Sequence, residues 1–242
     1  MKISLTVVLL LTATAAHAQI DATQEIGSRI YTEPRNSTDA VQVSRYSKLV
    51  ARCAYQRVGP QAVDRMLRAS DPRTLATTGD GIQLRRLRNT LGECMTDRFV
   101  DYNADVRMSH LAMTVSDTRM RALFLEEAYL AQNPAPPVVT ENISEVTNRI
   151  YVSSGDELVA ARGVGAFADC IVHRNAVGAD AVLRTEPGSS EERSAARALA
   201  PVLSECLING QEIGFSAGSI RAMAADGLWS RVFLGSQQLA ER

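Results

Sequence analysis

Apolar positions along the chain recur with helical rather than strand spacing. Tyr46, Leu49, Val50, Cys53 and Ala54 follow the i, i+3, i+4, i+7 rule and predict a first long helix, entered through the cap-forming stretch Asn36 to Asp39. Leu84, Leu87, Leu91 and Cys94 predict the next long helix in the same way. Further along, Ala195, Leu199, Val202, Leu203 and Cys206 make a matching stripe. Ser189 with Glu192 three residues later spells a capping box for it, and Gly210 supplies a C-terminal stop. Pro201 lies inside the stripe and should kink or split it. Ser116 and Ser216 each precede a helical run and predict the N-cap of a last helix. Just ahead of them the period changes to alternation, at Leu111, Met113 and Val115 and at Ile213 and Phe215. That predicts one short extended segment before each last helix, either paired into a small ribbon or isolated. The expected fold class is all-α.

The same blocks occur twice in the same order. Arg29-Ile30-Tyr31 recurs as Arg149-Ile150-Tyr151, preceded by Glu25-Ile26 and Glu145-Val146. Cys53 and Arg57 recur as Cys170 and Arg174, and Leu91-x-Glu93-Cys94 recurs as Leu203-x-Glu205-Cys206. Met120-Arg121-Ala122-Leu123 with Glu126 and Tyr129 recurs as Ile220-Arg221-Ala222-Met223 with Asp226 and Trp229. The reading is of two diverged tandem copies, residues 19–131 and 146–242, joined by a Pro-rich linker over 132–145 that contains Asn133-Pro134-Ala135-Pro136-Pro137. Each copy should run long helix, short helix, long helix, extended segment, final helix. Copy one carries about a dozen extra residues between Cys94 and Ser116, around Phe99, Tyr102 and Asn103, the main asymmetry between the two.

Residues 1–18 read as a secretory signal. Lys2 supplies the positive end, an apolar run from Ile3 follows, and Ala16-His17-Ala18 is a small-x-small cleavage site that would leave Gln19 first. The expected location is the periplasm. The next most apolar stretch, Leu158 to Val172, is interrupted by Arg162 and Asp169, so no membrane span is expected after signal removal. A net charge of -1 gives no electrostatic reason to expect nucleic acid as a partner. Lys2 and Lys48 are the only lysines, and the arginines are scattered rather than clustered, which reads as compositional bias.

Four cysteines in an exported chain point to two disulfides, and three pairings are possible. The repeat favours Cys53 with Cys94 and Cys170 with Cys206, since a single ancestral copy had to close its own bridge. Each bridge would close a loop of roughly forty residues, worth about 4 kcal/mol in the chain-entropy model. His173 stands one turn from Cys170, but copy one has Gln56 there, so the reading is a bridge and not a nucleophile. No zinc knuckle, phosphate loop, dinucleotide fingerprint or hydrolase elbow occurs, and neither metal nor cofactor is expected. Gly163-Val164-Gly165 is read as a close helix packing point.

Paired carboxylates are the remaining enzyme candidates: Glu93 with Glu205, and Glu126 with Asp226. The favoured reading of Arg57, Arg174, Arg121, Arg221, Glu126 and Asp226 is structural, as helix-to-helix ion pairs or caps. The Cys-x-x-x-Arg and Leu-x-Glu-Cys blocks, with the closing Arg-Ala and aromatic, make the chain resemble uncharacterised exported helical proteins of Gram-negative bacteria. That resemblance implies the periplasm and assigns no activity. The expectation is a non-catalytic binding or structural protein of the cell envelope, with an unknown protein or envelope component as partner. The alternative is a carboxylate-based hydrolase acting on envelope polymer.

Overall fold

The helical stripes fold into two groups of helices that meet along a central pair. The computed structural model describes residues 40–71, 81–106, 116–136, 145–207 and 215–240. Among these are eight helices and no strand, as the helical periodicity predicts.

Helix α1 (Ala40–Val58) buries Tyr46, Val50, Cys53 and Ala54 and leaves Leu49 at the edge of its stripe, 37% exposed. It ends because Gly59 turns into the left-handed region at φ 94° and Pro60 then opens α2 (Pro60–Leu67), where its missing N–H costs nothing. Helix α3 (Gly81–Val106) lies along α1, with Leu87 and Cys94 buried between them. Residues 99–106 of the expected insertion prolong α3; the remainder of it, His110 included, lies outside the described residues. Helix α4 (Asp117–Gln132) starts at Ser116, whose hydroxyl accepts the Arg119 N–H at 3.3 Å.

The second group departs from the expected element order. Helix α5 (Gly155–Arg184) is continuous where α1 and α2 are separate. It is bent at Asn175, which leaves helical geometry (φ -151°, ψ 71°) and accepts the Gly178 N–H on Oδ1 at 2.7 Å. Asn175 thus caps the following turns from inside the helix. Pro201 has the predicted effect: the Ala195–Cys206 stripe is split at Leu199 into α6 (Ser190–Ala198) and α7 (Ala200–Cys206). Ser189 caps α6 by accepting the Glu192 N–H at 3.0 Å, whereas the Glu192 carboxylate bonds Gly188 N–H rather than completing the box at Ser189. Helix α8 (Ala217–Ala240) starts after Ser216, whose hydroxyl accepts the Ser219 N–H at 3.1 Å.

Helices α4 and α8 pack against one another; α1 and α2 pack on α4, and α5 and α6 on α8. A continuous apolar core runs through both groups and includes Phe124, Tyr129, Ile171, Leu183, Leu228 and Trp229. Gly227 on α8 lets that helix lie close against α5. A Cβ there would collide with the Ala168 carbonyl oxygen and the Val172 side chain on α5. The Gly163–Gly165 stretch is not such a point: Gly163 faces open space, and Gly165 lies under the side chains of Tyr151 and Arg149. The expected extended segments at 111–115 and 213–214, the cap at 36–39, Arg29 to Tyr31, Gly210 and residues 1–18 all lie outside the described residues. None of the described helices is long and apolar enough to cross a membrane.

Candidate functional site

Four of the charged residues that recur along the chain, Arg121, Glu126, Arg221 and Asp226, meet at the α4–α8 seam, where they cross from one helix to the other. Arg121 on α4 donates to Asp226 on α8 at 3.0 Å, and its Nε and Nη2 reach the Ala69 carbonyl beyond α2. Arg221 on α8 does the converse. It holds both oxygens of Glu126 on α4 at 2.7 Å, and it donates to the Val182, Leu183 and Thr185 carbonyls at the end of α5. Each carboxylate also has a second cation: Arg149 at 3.0 Å from Asp226, and Lys48 on Glu126. Arg149 extends the first group to Asp169 at 2.6 Å, and Arg221 extends the second to Glu192 at 3.0 Å.

Apart from the partly exposed Lys48, the side chains of these groups are buried, so their charge states follow from their partners. Burial pushes the Glu126 carboxyl up, but Arg221 and Lys48 outweigh it and hold it below the usual range. Asp226 is likewise held down, because Arg149 and Arg121 overcome its burial. Asp169 goes the other way: desolvation dominates and raises it despite Arg149. Burial alone would lower the Arg221 guanidinium, and the bonds to Glu126 and Glu192 raise it. Glu126 and Asp226 are therefore fixed anions with every oxygen engaged. Neither can serve as a proton donor near neutral pH.

The other recurring pairs lie at the surface. Arg57 meets Asp97 at 2.6 Å and Glu93 at 3.8 Å, and Arg174 meets Glu205 at 2.6 Å, each with side chains about half exposed. Such pairs are worth little, typically below about 1 kcal/mol. Beside them run the two disulfides, Cys53–Cys94 between α1 and α3 and Cys170–Cys206 between α5 and α7. With Cys170 bonded, the exposed His173 has no thiol to activate.

A third group was not singled out from the sequence. Tyr55 on α1, Asp64 on α2, Glu127 on α4 and Trp229 on α8 point into one region, 4%, 7%, 5% and 2% exposed. The Tyr55 hydroxyl, Asp64 Oδ1, Glu127 Oε1 and Trp229 Nε1 are enclosed and have no hydrogen-bond partner. Both carboxylates lie close enough to act on the Tyr55 hydroxyl. The Trp229 indole and the Gln132 amide both face Asp64 as donors, Gln132 at 3.4 Å from Oδ2, and Gln132 also faces the Tyr55 hydroxyl. Arg52, half exposed, covers Glu127 through Oε2 at 3.0 Å. Burial raises the carboxyls of both Asp64 and Glu127, the latter against Arg52. Glu127 stands next to the recurring Glu126, and Tyr55 two residues from Cys53. Their polarity at buried helical positions was the available signal.

Counted along the sequence from the recurring Cys and acid, Val172 and Gly227 stand in the second group where the first has Tyr55 and Glu127. Asp180 there is satisfied by Tyr129 at 2.7 Å and by Arg184 at 2.6 Å. The chain matches no family model, no curated protein and no solved structure.

Proposed function

We propose that this is an exported, non-catalytic binding or structural protein of the Gram-negative envelope, built from two diverged tandem copies of one helical unit. The observation that carries the non-catalytic reading is the state of the recurring carboxylates. Glu126 and Asp226 are each clamped between two cations, and Glu93 and Glu205 stand in open surface pairs. A glycosidase-type mechanism needs one carboxyl free to donate a proton and a second free to act as base or nucleophile, both facing substrate. Asp64 and Glu127 have raised carboxyls, but they lie beneath Arg52 and Gln132, where a polymer chain does not reach them. The hydrolase reading is the weaker one for that reason.

Duplication is supported by reciprocity. Arg121 reaches Asp226 across the seam as Arg221 reaches Glu126, Tyr129 meets Asp180 as Trp229 faces Asp64, and each half closes one disulfide. Export is supported by the two disulfides together with the apolar N-terminal run and its small-residue cleavage site.

Osmotic-shock fractionation of the native host with N-terminal sequencing tests the location, with a form starting near Gln19 expected in the periplasmic fraction. Recovery of uncleaved chain in the cytoplasm contradicts it. Incubating the purified protein with envelope polysaccharide should release no sugar. Release that disappears in D64N or E127Q would establish the hydrolase reading instead.

A further inference from the structure

We propose that Tyr55, Asp64 and Glu127 form a receptor for the protonated amino group of a small primary amine, beneath a roof made by Arg52 and Gln132. The proposal specifies a ligand class for the binding protein argued above, and it rests on that reading. Three enclosed oxygens, the Tyr55 hydroxyl, Asp64 Oδ1 and Glu127 Oε1, come from three different helices and have no close hydrogen-bond partner, with Gln132 facing Tyr55 and the Trp229 indole facing Asp64. A primary ammonium group carries three N–H donors on one cationic centre and can supply one to each.

The charge balance points the same way. The region holds two carboxylates; Arg52, half outside, pairs directly with Glu127, while Lys48 faces Glu127 and Arg68 faces Asp64 without bonding them. Asp64 makes no direct ion pair among the described residues, so a cationic guest would be the first cation in contact with it. A divalent metal fits less well, because no group of three His, Cys, Asp or Glu side chains is gathered among the described residues. The roof consists of two long side chains on exposed positions, so admission needs rotamer changes rather than movement of a helix.

The second half serves as an internal contrast. Asp180, a buried acid of that half, has its own cation in Arg184 and its own donor in Tyr129. Val172 and Gly227 remove the other two acceptors, and the helices close over the space. The same scaffold thus completes the acid with internal partners on one side and leaves it for a guest on the other.

Trp229 is the chain's one tryptophan and flanks Asp64, so its fluorescence reports on this region directly. The full disulfide-bonded protein is titrated with methylammonium chloride at constant ionic strength, with sodium and tetramethylammonium chloride as references. Methylammonium should give a saturable change in Trp229 emission and a rise in Tm. Tetramethylammonium, which has no N–H, should give neither. D64N and E127Q, each checked for native helix content by circular dichroism, should weaken the response at least tenfold, and Y55F should weaken it less. If one variant does not fold, the others carry the test. A capped lysine should bind more weakly than methylammonium; tighter binding would mark a partner's lysine side chain and overturn the free-amine assignment. An equal response to sodium, or a methylammonium response unchanged in the folded variants, overturns the site. Either outcome leaves export and the non-catalytic reading intact, since those depend on fractionation and product release.

Discussion

The seam between α1 and α4 and the seam between α5 and α8 are built in opposite ways. In the second, Gly227 lets α8 settle against the backbone of α5 at Ala168, and Val172 fills the remaining space. In the first, Glu127 follows Glu126 as Gly227 follows Asp226, and Tyr55 follows Cys53 as Val172 follows Cys170. A carboxylate and a phenol cannot be packed as a glycine and a valine can. That seam therefore keeps enclosed polar atoms without partners, at a cost of about 1–3 kcal/mol for each group left unsatisfied. One seam is a packing joint. The other gives up stability in a way that a binding site can use. What the two share is the charged crossing at α4 and α8, where each half supplies the arginine that neutralises the other's carboxylate.

The largest predicted effect comes from breaking that crossing. R221M leaves Glu126 with Lys48 alone and strands three carbonyls at the end of α5, and it should cost about 3–5 kcal/mol in urea unfolding. R121M should behave similarly, because Asp226 keeps only Arg149. A loss below about 1 kcal/mol in both would show that the crossing is ornamental. The next effect separates the seams. G227A forces a methyl into the α5 backbone and should cost about 1–3 kcal/mol, whereas E127Q on the other seam keeps its shape and should cost less than either. Equal losses would erase the contrast.

Y129F tests the satisfied acid. It removes one of the partners of Asp180 and leaves Arg184 in place, so thermal or urea unfolding should show a loss of about 1 kcal/mol. The smallest effect is recognised by its sign. The folded-state carboxyls of Asp64 and Glu127 are raised above their usual 3.8 and 4.5, so the folded protein holds their protons more tightly than the unfolded chain does. Their favourable contribution is full below those usual values and is lost as pH rises through the raised ones. The groups that face them are Arg68, Gln132 and Trp229 around Asp64, Arg52, Glu126 and Lys48 around Glu127, and Tyr55 near both. Stability measured against pH should therefore improve in D64N/E127Q relative to the parent as pH rises from the usual carboxylate range toward neutral. A relative decline over that range would mean that the two acids are stabilised as anions.

The helices and the structural role of the recurring Arg and acid residues were legible in the sequence for a physical reason, whereas their crossing from one half to the other was not. A helical stripe of apolar residues interrupted at the same two places by Arg and an acid can be buried only if those charges find one another. Pro201 and Ser189 announced their local effects because they act through their own backbone. The bend in α5 was not legible, since Asn175 resembles any polar helix residue until its side chain turns inward to cap Gly178. The second cations, Lys48 and Arg149, come from segments whose approach to the seam depends on the whole fold. Tyr55, Asp64 and Glu127 were missed because each, read singly, is an ordinary polar residue on a helix. Only the packing of α1, α2, α4 and α8 makes them neighbours.

The central claim is that the halves complete one another across α4 and α8 and cannot stand as separate units. Urea unfolding of the disulfide-intact protein, followed at once by Trp229 fluorescence and by far-ultraviolet circular dichroism, tests it most directly. Trp229 reports the junction of α8 with the first half, and circular dichroism reports every helix. The account predicts one transition with the same midpoint by both probes. Two separated transitions, with helix lost before or after the change at Trp229, would contradict it.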